Sequence, residues 1–538
     1  MKIIRDKEAD TDVTEDFLLC NRCGSCMSAC PVYDVIGEEW SGPRGKVELA
    51  EFFFRGGKVD EKEINRVSEV CLHCKTCLEN CPSGTRADEI IMAVKNEMGK
   101  RGLIPFYKRV LLFVLDGMNN FIFKTMRFFK LTRKDNRPQT KRSPFSFLFP
   151  LLGWPRQRFV PMPNDRSFIR ANSGFFSAAD AEITFFDPRL LTEKEMLGFD
   201  WEKAEELAGK VKKAREINLK NSSKACFFVG DMVNNFFSEE AQSIVYLLNL
   251  LGVDVVVPEN QTCCFAPAFY SGDIAGARKG ARRLIRILSS YQYDWLVTSC
   301  ASGGLMLKKE YPRLLDLNKD GFFDIQWDSE RELLKRKTIN KENLSEEARL
   351  YSENIKGKIR DINELVAELL FFAPQKNDYE KLFSGHGAKE KGPDKNKKDI
   401  DYRCDGKDRR PVVVYHHPCH LNRGQGIYSE PEYILKMLPG YRYVRMGNDT
   451  TCCGGGGVFT FTESKISEKI ARGKVLSITK AGADIVSTSC PVCRIQLMDM
   501  TGRDLGIEYG GKTHKVKKVS VKTPVELLVR DLKSISRP

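Results

Sequence analysis

The stretch Cys20-Asn-Arg-Cys23-Gly-Ser-Cys26-Met-Ser-Ala-Cys30-Pro31 decides the fold of the N-terminal region, and Cys71-Leu-His-Cys74-Lys-Thr-Cys77-Leu-Glu-Asn-Cys81-Pro82 repeats its spacing. Three thiolates on one tight turn can reach three corners of an iron–sulfur cube, while the fourth cysteine leaves on a helix toward a second cube. We therefore predict two [4Fe–4S] clusters with crossed ligands. The ligands of one are Cys20, Cys23, Cys26 and Cys81, and those of the other are Cys30, Cys71, Cys74 and Cys77.

Structural zinc bound by four cysteines is the competing interpretation of these two runs. Zinc sites rarely use this run of four cysteines followed by proline, and its duplication here favours clusters. Between the runs, apolar residues recur with helical spacing in Gly45–Phe54 and Glu61–Val70. Residues 1–100 are therefore predicted to form an α-helical domain similar to two-cluster ferredoxins.

The composition is that of a globular protein with metal-binding cysteines. The chain has 538 residues and 18 cysteines; 42% of its residues are hydrophobic and 29% are charged. This length predicts about two to four domains. The opening residues, MKIIRDKEADTD, carry charges throughout and lack the apolar core of a secretory signal. Because disulfides need an oxidising compartment, we expect a cytoplasmic protein whose clustered cysteines bind metal.

The net charge of +14 is partly local, since basic residues dominate the stretch from Lys124 to Arg142. Such charge suits an acidic partner or an anionic membrane surface, and without a nucleic-acid motif we expect no nucleic-acid partner. No uncharged apolar run is long enough to span a bilayer. The segment Phe106–Phe129 fits an amphipathic helix that packs on a domain or, alternatively, touches the inner face of the membrane. Residues 101–222 are predicted to be a basic amphipathic connecting region.

An internal repeat follows this region. In the first copy, strands are predicted at Ala225–Gly230, Asp254–Val257 and Asp294–Ser299, and helices at Glu239–Leu251 and Asp273–Ser290. The cysteines that accompany these elements are Cys226, Cys263, Cys264 and Cys300.

The second copy has the same order of elements. Strands are predicted at Val412–Tyr415, Tyr441–Met446 and Asp484–Ser489, and a helix at Glu463–Ala481. Its cysteines are Cys419, Cys452, Cys453, Cys490 and Cys493. Strands that alternate with helices predict parallel α/β units, in which ligands gather beyond the carboxyl ends of the strands. Because the cysteines fall at those ends in both copies, two facing copies could form a shared pocket.

The two copies are predicted to occupy residues 223–372 and 411–538. The intervening residues 373–410 are predicted to be a charged linker, since Ser384–Arg410 is rich in lysine, aspartate and glycine. Cys404 lies in this linker, and we interpret it as a bystander without a role in metal binding.

The repeats resemble the CCG domains of the heterodisulfide reductase family, in which one cysteine precedes an adjacent cysteine pair and a later C-x-x-C. The second copy matches throughout, with Cys419, then Cys452-Cys453 before Gly454–Gly457, then Cys490-Pro-Val-Cys493. A ferredoxin domain before two such modules is similar to the heterodisulfide reductase subunit of the same domain order and to the glycolate oxidase iron–sulfur subunit. The resemblance implies a multidomain protein, with an α-helical ferredoxin domain followed by two α/β CCG modules with parallel-sheet character.

The resemblance also implies one or two further iron–sulfur clusters in the CCG modules, of a noncubane type where five cysteines are present. In the first module the implied ligands are Cys226, Cys263, Cys264 and Cys300. In the second module the implied ligands, and the candidate catalytic residues, are Cys419, Cys452, Cys453, Cys490 and Cys493. The sequence departs from the family pattern at Gly303, which stands in place of a fifth cysteine in the first module. It departs again at His417, which replaces the acidic residue of the family's His-Asp-Pro-Cys-His.

Other interpretations of the second module stay open. Zinc would suit Cys452, Cys453, Cys490 and Cys493. A phosphate loop at Gly454–Gly457 is less favoured, because no Lys-Ser/Thr follows it. For each of the histidines around Cys419, a structural role is the safer interpretation, although His416 and His420 are the better candidates for ligands or proton donors.

The resemblance implies an electron-transfer subunit. A separate flavin-dependent dehydrogenase would carry FAD and oxidise a 2-hydroxy acid such as glycolate or lactate, and electrons would pass through this chain to a quinone or another membrane-bound carrier. The chain itself shows no dinucleotide fingerprint, so a partner has to supply the substrate chemistry. The alternative is a catalytic disulfide reductase that uses the cluster of the second module. A regulatory iron–sulfur protein is a weaker third interpretation.

Overall fold

Helices build the N-terminal region of the computed structural model. The structure describes residues 13–105, 108, 109, 112, 159, 161–180, 199–315, 325–328, 333–336, 345–371, 408, 410–503, 505–509 and 512–535. The first helices span Val13–Leu19, Pro31–Ile36, Pro43–Phe54, Glu61–Glu69, Thr76–Glu79 and Ala87–Lys100, with a short 3-10 turn at Glu39–Ser41. Pro31 begins its helix directly after Cys30, because a proline at the first helical position loses no helical hydrogen bond.

The helix Ala87–Lys100 is the central element of this region. Its side chains Ile90, Val94 and Met98 are buried against Val47 and Ile64 of the neighbouring helices. Its other side faces the first α/β unit, where a Cβ atom on Gly99 would lie 2.4 Å from the carbonyl oxygen of Gly272. Glycine is therefore required at this close approach of two backbones.

The first α/β unit contains a five-stranded sheet. Its strands are β1 (Gly174–Phe176), β2 (Lys224–Phe228), β3 (Asp254–Val257), β4 (Trp295–Thr298) and β5 (Ile359–Asp361), in the order β1-β3-β2-β4-β5. Only β1 is antiparallel, and it covers the edge of β3. The helices of this unit are Phe168–Asn172, Trp201–Asn221, Asp231–Phe236, Ser238–Leu250, Ala266–Tyr270, Ile274–Ser289, Ala301–Leu305, Tyr311–Leu314, Glu346–Leu350 and Ile362–Phe371, with π-helical turns at Met306–Glu310 and Tyr351–Ile355.

The second α/β unit contains a four-stranded parallel sheet. Its strands are β6 (Val412–Tyr415), β7 (Arg442–Tyr443), β8 (Ile485–Ser487) and β9 (Ser520–Lys522), in the order β9-β8-β6-β7. The helices are Cys419–Gln425, Ser429–Lys436, Phe459–Thr462, Ser464–Lys480, Pro491–Gly502 and Pro524–Ile535. Two antiparallel hairpins stand apart from the sheets, Ile325–Asp328 with Leu333–Arg336 and Gly506–Tyr509 with Lys512–Lys515.

The two units share one strand order, since β3-β2-β4-β5 corresponds to β7-β6-β8-β9. The predicted parallel sheets are therefore confirmed. The helix Trp201–Asn221 and strand β1 pack with the first unit, because Leu207 and Val211 enter its core. These elements precede residue 223, the start that we predicted for the first module. Nothing in the sequence indicated them, because an antiparallel edge strand is not part of the βα repeat.

The two units are packed together over a common core. Leu247 of the first unit and Val413, Tyr415 and Leu528 of the second belong to one buried cluster. Beside it, the buried guanidinium of Arg494 makes ion pairs of 3.0 Å with Glu240 of the first unit and Glu526 of the second. The carboxyl ends of the two sheets are thereby held in a fixed relation.

The predicted amphipathic segment Phe106–Phe129 and Cys404 lie almost entirely outside the described residues, as does most of the predicted linker. Within the described part of the chain, no helix has the length and the apolar character that crossing a bilayer requires.

Candidate functional site

The cysteine set nearest the surface joins both N-terminal runs. Burial and then the charge of Cys81 raise the pKa of the Cys26 thiol to about 11, and Cys20 and Cys23 contribute to the same rise. Cys81 of the second run therefore lies beside the first three cysteines of the first run. Cys23 is exposed at the edge of this group. We call Cys20, Cys23, Cys26 and Cys81 the outer set.

A second set lines a cavity deeper in the molecule. Its cysteines, which we call the inner set, are Cys30, Cys71, Cys74 and Cys77. Burial raises the pKa of Cys77 well above its usual range, and the charge of Asp88 and of the other three cysteines adds to this. Lys46 lies in the wall of the same cavity and donates to the carbonyl of Val70. The structure thus brings the fourth cysteine of each run beside the first three of the other.

The inner set touches the second α/β unit. Contact with Cys452, followed by burial, raises the pKa of the Cys74 thiol well above its usual range. Val32 and Leu72 pack with Cys452 and Phe459 around this junction. Gly456, at φ +54°, allows the approach, because a Cβ atom there would lie 2.5 Å from the side chain of Leu72. The glycine run after Cys453 therefore shapes an interface between domains.

The five cysteines of the second unit form a continuous group, the second-module set. Cys452 contacts Cys419 and Cys453. Cys493 contacts Cys453 and Cys490. Contacts with Cys452 and Cys493, and a further one with His416, hold the pKa of the buried Cys453 thiol well below its usual range. The set lies where strands β6 and β8 end, because Cys419 begins one helix and Cys490 caps another.

The chain turn that carries the cysteine pair depends on glycine. The backbone N–H of Gly454 donates to Cys452 Sγ at 3.4 Å. Gly454 has φ +80°, and a Cβ atom there would meet the carbonyl oxygen of Ser467 at 2.5 Å. Backbone N–H groups that face thiolates stabilise their negative charge. Such a turn suits a pair of thiolates, and no Lys-Ser/Thr follows it to support the phosphate-loop interpretation.

His416 completes the second-module set. It is 1% exposed, and neither of its ring nitrogens has a nitrogen or oxygen partner among the described residues. One ring nitrogen and the sulfurs of Cys453 and Cys493 all lie within 4.8 Å of one another. A buried polar group without a partner is unfavourable, so this imidazole is aimed at whatever the cysteines hold.

The other two histidines are engaged elsewhere. His417 Nε2 lies 2.9 Å from Glu432 Oε1, and the ring stacks on Tyr428 at 4.2 Å. His420 Nδ1 lies 2.9 Å from Ser302 Oγ, and its Nε2 lies 3.2 Å from the carbonyl of His73. His417 therefore belongs to a buried polar pair, and His420 joins three parts of the chain.

Lys474 is a residue of this site that the sequence analysis missed. Its side chain is 1% exposed, and Nζ donates to the carbonyls of Asn448 and, at 3.1 Å, Asp449. Burial lowers its pKa to about 8, against the opposing charges of Asp449 and Cys453. The sequence could have indicated Lys474, because this lysine lies on the buried face of the helix Ser464–Lys480. It places a positive charge beside a cysteine set that becomes anionic.

In the first α/β unit, Cys263, Cys264 and Cys300 lie near one another. Burial, then Cys490 and Cys264, raise the pKa of Cys300, so this thiol also faces the second-module set. Cys226 is placed differently. It is fully buried inside strand β2, and burial alone accounts for the rise in its pKa. The carboxyl side chain that meets Cys263 is Asp231, which the sequence analysis did not single out.

Comparison with known proteins agrees with this organisation. A 4Fe-4S dicluster domain matches residues 16–85, and the cysteine-rich CCG domain matches twice, at residues 225–308 and 413–498. The chain contains two CCG domains after a 4Fe-4S dicluster domain. The predicted resemblance is therefore confirmed, as is the arrangement of an N-terminal iron–sulfur domain before two CCG repeats. From here on we call the α/β units the first and second CCG modules.

Several curated relatives resemble this CCG-domain protein. The chain is 23% identical to the probable glycolate oxidase iron–sulfur subunit of Bacillus subtilis over 96% of this chain and 95% of the relative. It is 27% identical to a subunit of the CoM/CoB fumarate reductase of Methanothermobacter marburgensis, over 52% of this chain and 42% of the relative. It is 25% identical to lactate utilization protein A of a Geobacillus species, over 55% of this chain and 97% of the relative.

The residues present fit iron–sulfur clusters. Each N-terminal set offers four thiols, the number that a [4Fe–4S] cube needs. The second-module set offers five thiols together with the unpaired nitrogens of His416. The thiols are free in all these sets, and soft thiolate ligands in such number suit iron–sulfur clusters.

Proposed function

We propose that this chain is the iron–sulfur electron-transfer subunit of an oxidoreductase complex. The contact between Cys74 and Cys452 carries the proposal. It makes one cluster of the N-terminal domain a neighbour of the site in the second CCG module. A relay requires cofactors that are close enough for electrons to pass, and this contact brings two ligand sets together without intervening side chains.

The proposed ligands follow the three cysteine sets. The outer and inner sets each hold one [4Fe–4S] cluster, and the second-module set holds a further cluster, which five cysteines suit better than a cube. The bound clusters supply one-electron chemistry. The chain's own part is to hold them in sequence, to exclude water from the inner set, and to balance their negative charge with Lys46 and Lys474.

The path has one end at the surface. Cys23 is exposed, whereas Cys452 and Cys453 are 6% and 2% exposed. Electron exchange with a partner protein therefore fits the outer set. The second-module set would exchange electrons with a partner only through the face around Cys419, which is partly exposed.

The partner is proposed from the relatives. Two of them bear the names glycolate oxidase and lactate utilization, which refer to 2-hydroxy acids. We therefore propose a flavin dehydrogenase with FAD as the electron donor, a 2-hydroxy acid as its substrate, and a quinone or another membrane-bound carrier as the acceptor. The basic composition of the chain suits an acidic partner or peripheral contact with the inner face of the membrane.

The proposal is tested by anaerobic purification of the tagged full chain, followed by identification of what co-elutes. A stoichiometric flavoprotein, together with substrate-dependent reduction of the clusters, is the expected result. Chain that elutes alone, with clusters that no flavoprotein reduces, would contradict the relay. Cys404→Ser is a suitable control for cysteine variants, because it changes a cysteine outside all three sets.

Disulfide reduction is a second candidate. The complete second-module set with His416 beside it favours this candidate, because a cluster can supply the electrons, and a nearby imidazole the protons, that reduction of a disulfide consumes. The burial of Cys452 and Cys453 disfavours it, since a disulfide substrate would have to reach them. A paramagnetic signal that appears when a thiol is added to the oxidised protein would support this candidate, and its absence at full cluster content would count against it.

A further inference from the structure

The registers of the two sheets allow a residue-by-residue comparison of the two CCG modules. In the first module Phe227 of β2 pairs with Val297 of β4, and in the second Tyr415 of β6 pairs with Ser487 of β8. The strands β4 and β8 lead into Thr298-Ser299-Cys300 and Thr488-Ser489-Cys490, in which both cysteines cap a helix. Phe227 and Tyr415 are therefore equivalent positions, as are Cys300 and Cys490.

Counting forward from these strands places Asp231 at the position of Cys419. Each is the first residue of a helix, Asp231–Phe236 in one module and Cys419–Gln425 in the other. The contacts are also equivalent. Asp231 meets Cys263, the first member of the cysteine pair, just as Cys419 meets Cys452. Cys226 lies five residues earlier and inside the strand, so it does not take this position.

The same comparison shows where the first module has lost donors. Phe228 stands at the position of His416, and Gly303 at the position of Cys493. These two changes are adjacent in space, because a Cβ atom on Gly303 would lie 3.7 Å from the Phe228 ring. The corner that holds a nitrogen and a sulfur in the second module is therefore apolar in the first.

The donors that remain in the first module are four in number: Asp231, Cys263, Cys264 and Cys300. Tyr311, which is fully buried, covers them and donates to the carbonyl of Cys264 at 3.3 Å. The set is thus closed on one side by a packed aromatic residue. On the other side Cys300 faces Cys490 of the second module.

The spacing of these donors suits a cluster better than a single ion. A tetrahedral zinc ion draws its sulfur ligands to within about 3.8 Å of one another. Among the described residues, three donors lie within 4.8 Å of each other only in the groups His416–Cys453–Cys493 and His417–Glu432–Asp449. Neither the outer nor the inner set forms such a close group, and nor do the four donors of the first module. In these groups no three donors are gathered as they are around a single zinc ion.

We propose that the first CCG module binds a cube-type [4Fe–4S] cluster through Cys263, Cys264, Cys300 and the carboxylate of Asp231. The inference rests on the proposed iron–sulfur chemistry of this chain. The two modules then differ in kind, since a four-donor cube in the first module faces a five-cysteine cluster in the second. A carboxylate binds its iron less firmly than a thiolate, so we expect the iron at Asp231 to exchange more readily than the three irons bound by cysteine.

Substitution of Asp231 in the full chain tests the proposal. Asp231→Asn removes the anionic ligand with little change in shape, and Asp231→Cys replaces it with a thiolate. Glu259→Gln is the matched control, because it removes one carboxylate from an exposed position of the same module. Iron, zinc and sulfide per chain are measured after anaerobic purification, together with electron paramagnetic resonance spectra of the oxidised and reduced protein.

We expect Asp231→Asn to lose about one iron per chain and to show, when oxidised, the signal of a three-iron cluster. Asp231→Cys should keep the full iron content and show one cluster with a lower reduction potential than in the parent protein, since a stronger donor favours the oxidised state. Glu259→Gln should match the parent protein in both measurements.

Two results would overturn the proposal. One is that both Asp231 variants keep the parent's metal content, spectra and potentials. The other is about one zinc per chain in the parent protein that Asp231→Asn loses. Failure of the proposed relay would look different, because the parent protein would then keep its cluster signals but elute without a flavoprotein that reduces them. If Asp231→Asn does not fold, Asp231→Cys still decides the question through its potential.

Discussion

The thiol of Cys74 in the helical N-terminal domain contacts the thiol of Cys452 in the second CCG module. Each of these residues belongs to a different cysteine set, so the contact joins two cofactor sites that the chain connectivity separates widely. Apolar packing by Leu72 and Phe459 surrounds the pair. The contact therefore lies in an apolar interface, where packing fixes the geometry between the two sites.

Substitution of Cys74 should interrupt the relay at this junction. We expect Cys74→Ser to lower the iron content by up to about four atoms per chain and to reduce electron transfer to the acceptor at least tenfold. The measurements are iron per chain and the rate of acceptor reduction in the reconstituted complex. Cys404→Ser should change neither. Unchanged iron and unchanged rates in Cys74→Ser would contradict the assignment of the inner set.

Substitution of Cys453 should affect only the second module. Its thiol is buried and contacts Cys452 and Cys493, and its pKa is lowered by those contacts. We therefore expect Cys453→Ser to abolish electron transfer while the spectra of the two N-terminal clusters persist. Spectra at low temperature, recorded on the reduced protein, check this. Retained activity would remove the second module from the path.

His416 should tune the second-module site without being needed for the fold of the chain. His416→Phe copies the residue that the first module has at this position, Phe228, which that module accommodates fully buried. We expect the N-terminal cluster signals to stay unchanged and the signal of the second module to shift or disappear. His416→Gln, which keeps a polar atom, should have a smaller effect. Identical spectra for all three proteins would show that the imidazole does not touch the cofactor.

Arg313 should be essential to the joint between the N-terminal domain and the first module. Its guanidinium lies 3.0 Å from Glu89 and 2.9 Å from Glu310, and all three side chains are buried. Burial opposes ionisation of Glu89, but the charges of Arg313 and Lys75 prevail and lower its pKa to about 2. Arg313→Met leaves the carboxylates without this partner and should destabilise the joint by about 3–5 kcal/mol.

The consequence is measurable as a lower temperature of unfolding and as earlier proteolysis between the domains. Arg472→Met is the control, because Arg472 forms an exposed pair with Glu468 on one helix. Such a pair contributes roughly 0.3–0.5 kcal/mol, so that variant should resemble the parent protein. Equal stability of the two variants would contradict a structural role for Arg313.

Asp531 should make the stability of the second module depend on pH. Burial raises its pKa to about 7, although the backbone N–H of Gly440 donates to it at 2.9 Å. A carboxyl group with a raised pKa in the folded state stabilises the fold while it is protonated. Its contribution is present in full below the unfolded pKa, near 4, and is lost as the pH rises through about 7.

Asp531→Asn keeps an acceptor for Gly440 and cannot ionise. The variant should therefore gain stability relative to the parent as the pH rises from about 5 to about 8, with a limiting slope of about 1.4 kcal/mol per pH unit. Thermal unfolding at several pH values checks this. A constant difference between the two proteins across this range would show that Asp531 does not titrate near neutral pH.

The sequence by itself determined the local structure and the chemistry. The two N-terminal runs, the parallel βα repeats and the cysteines at strand ends were all readable, because ligand spacing within a turn and hydrophobic periodicity within an element are local properties. The predicted strands Asp254–Val257 and Val412–Tyr415 have the same bounds in the structure. The match to the two domain families has the same origin.

Only the tertiary structure decided which sites meet and which residues complete them. Cys74 and Cys452 come together through packing between domains, and no local pattern encodes that distance. The sequence analysis missed Asp231 because the chain has many acidic residues and nothing in the sequence distinguishes this one. The hydrogen-bonded registers of β2 and β6 with their neighbouring strands align it with Cys419. Cys226 was included because it is a cysteine near the expected position, yet its place inside a strand directs it into the core. Register and packing depend on contacts between distant segments, and these exist only in the folded chain.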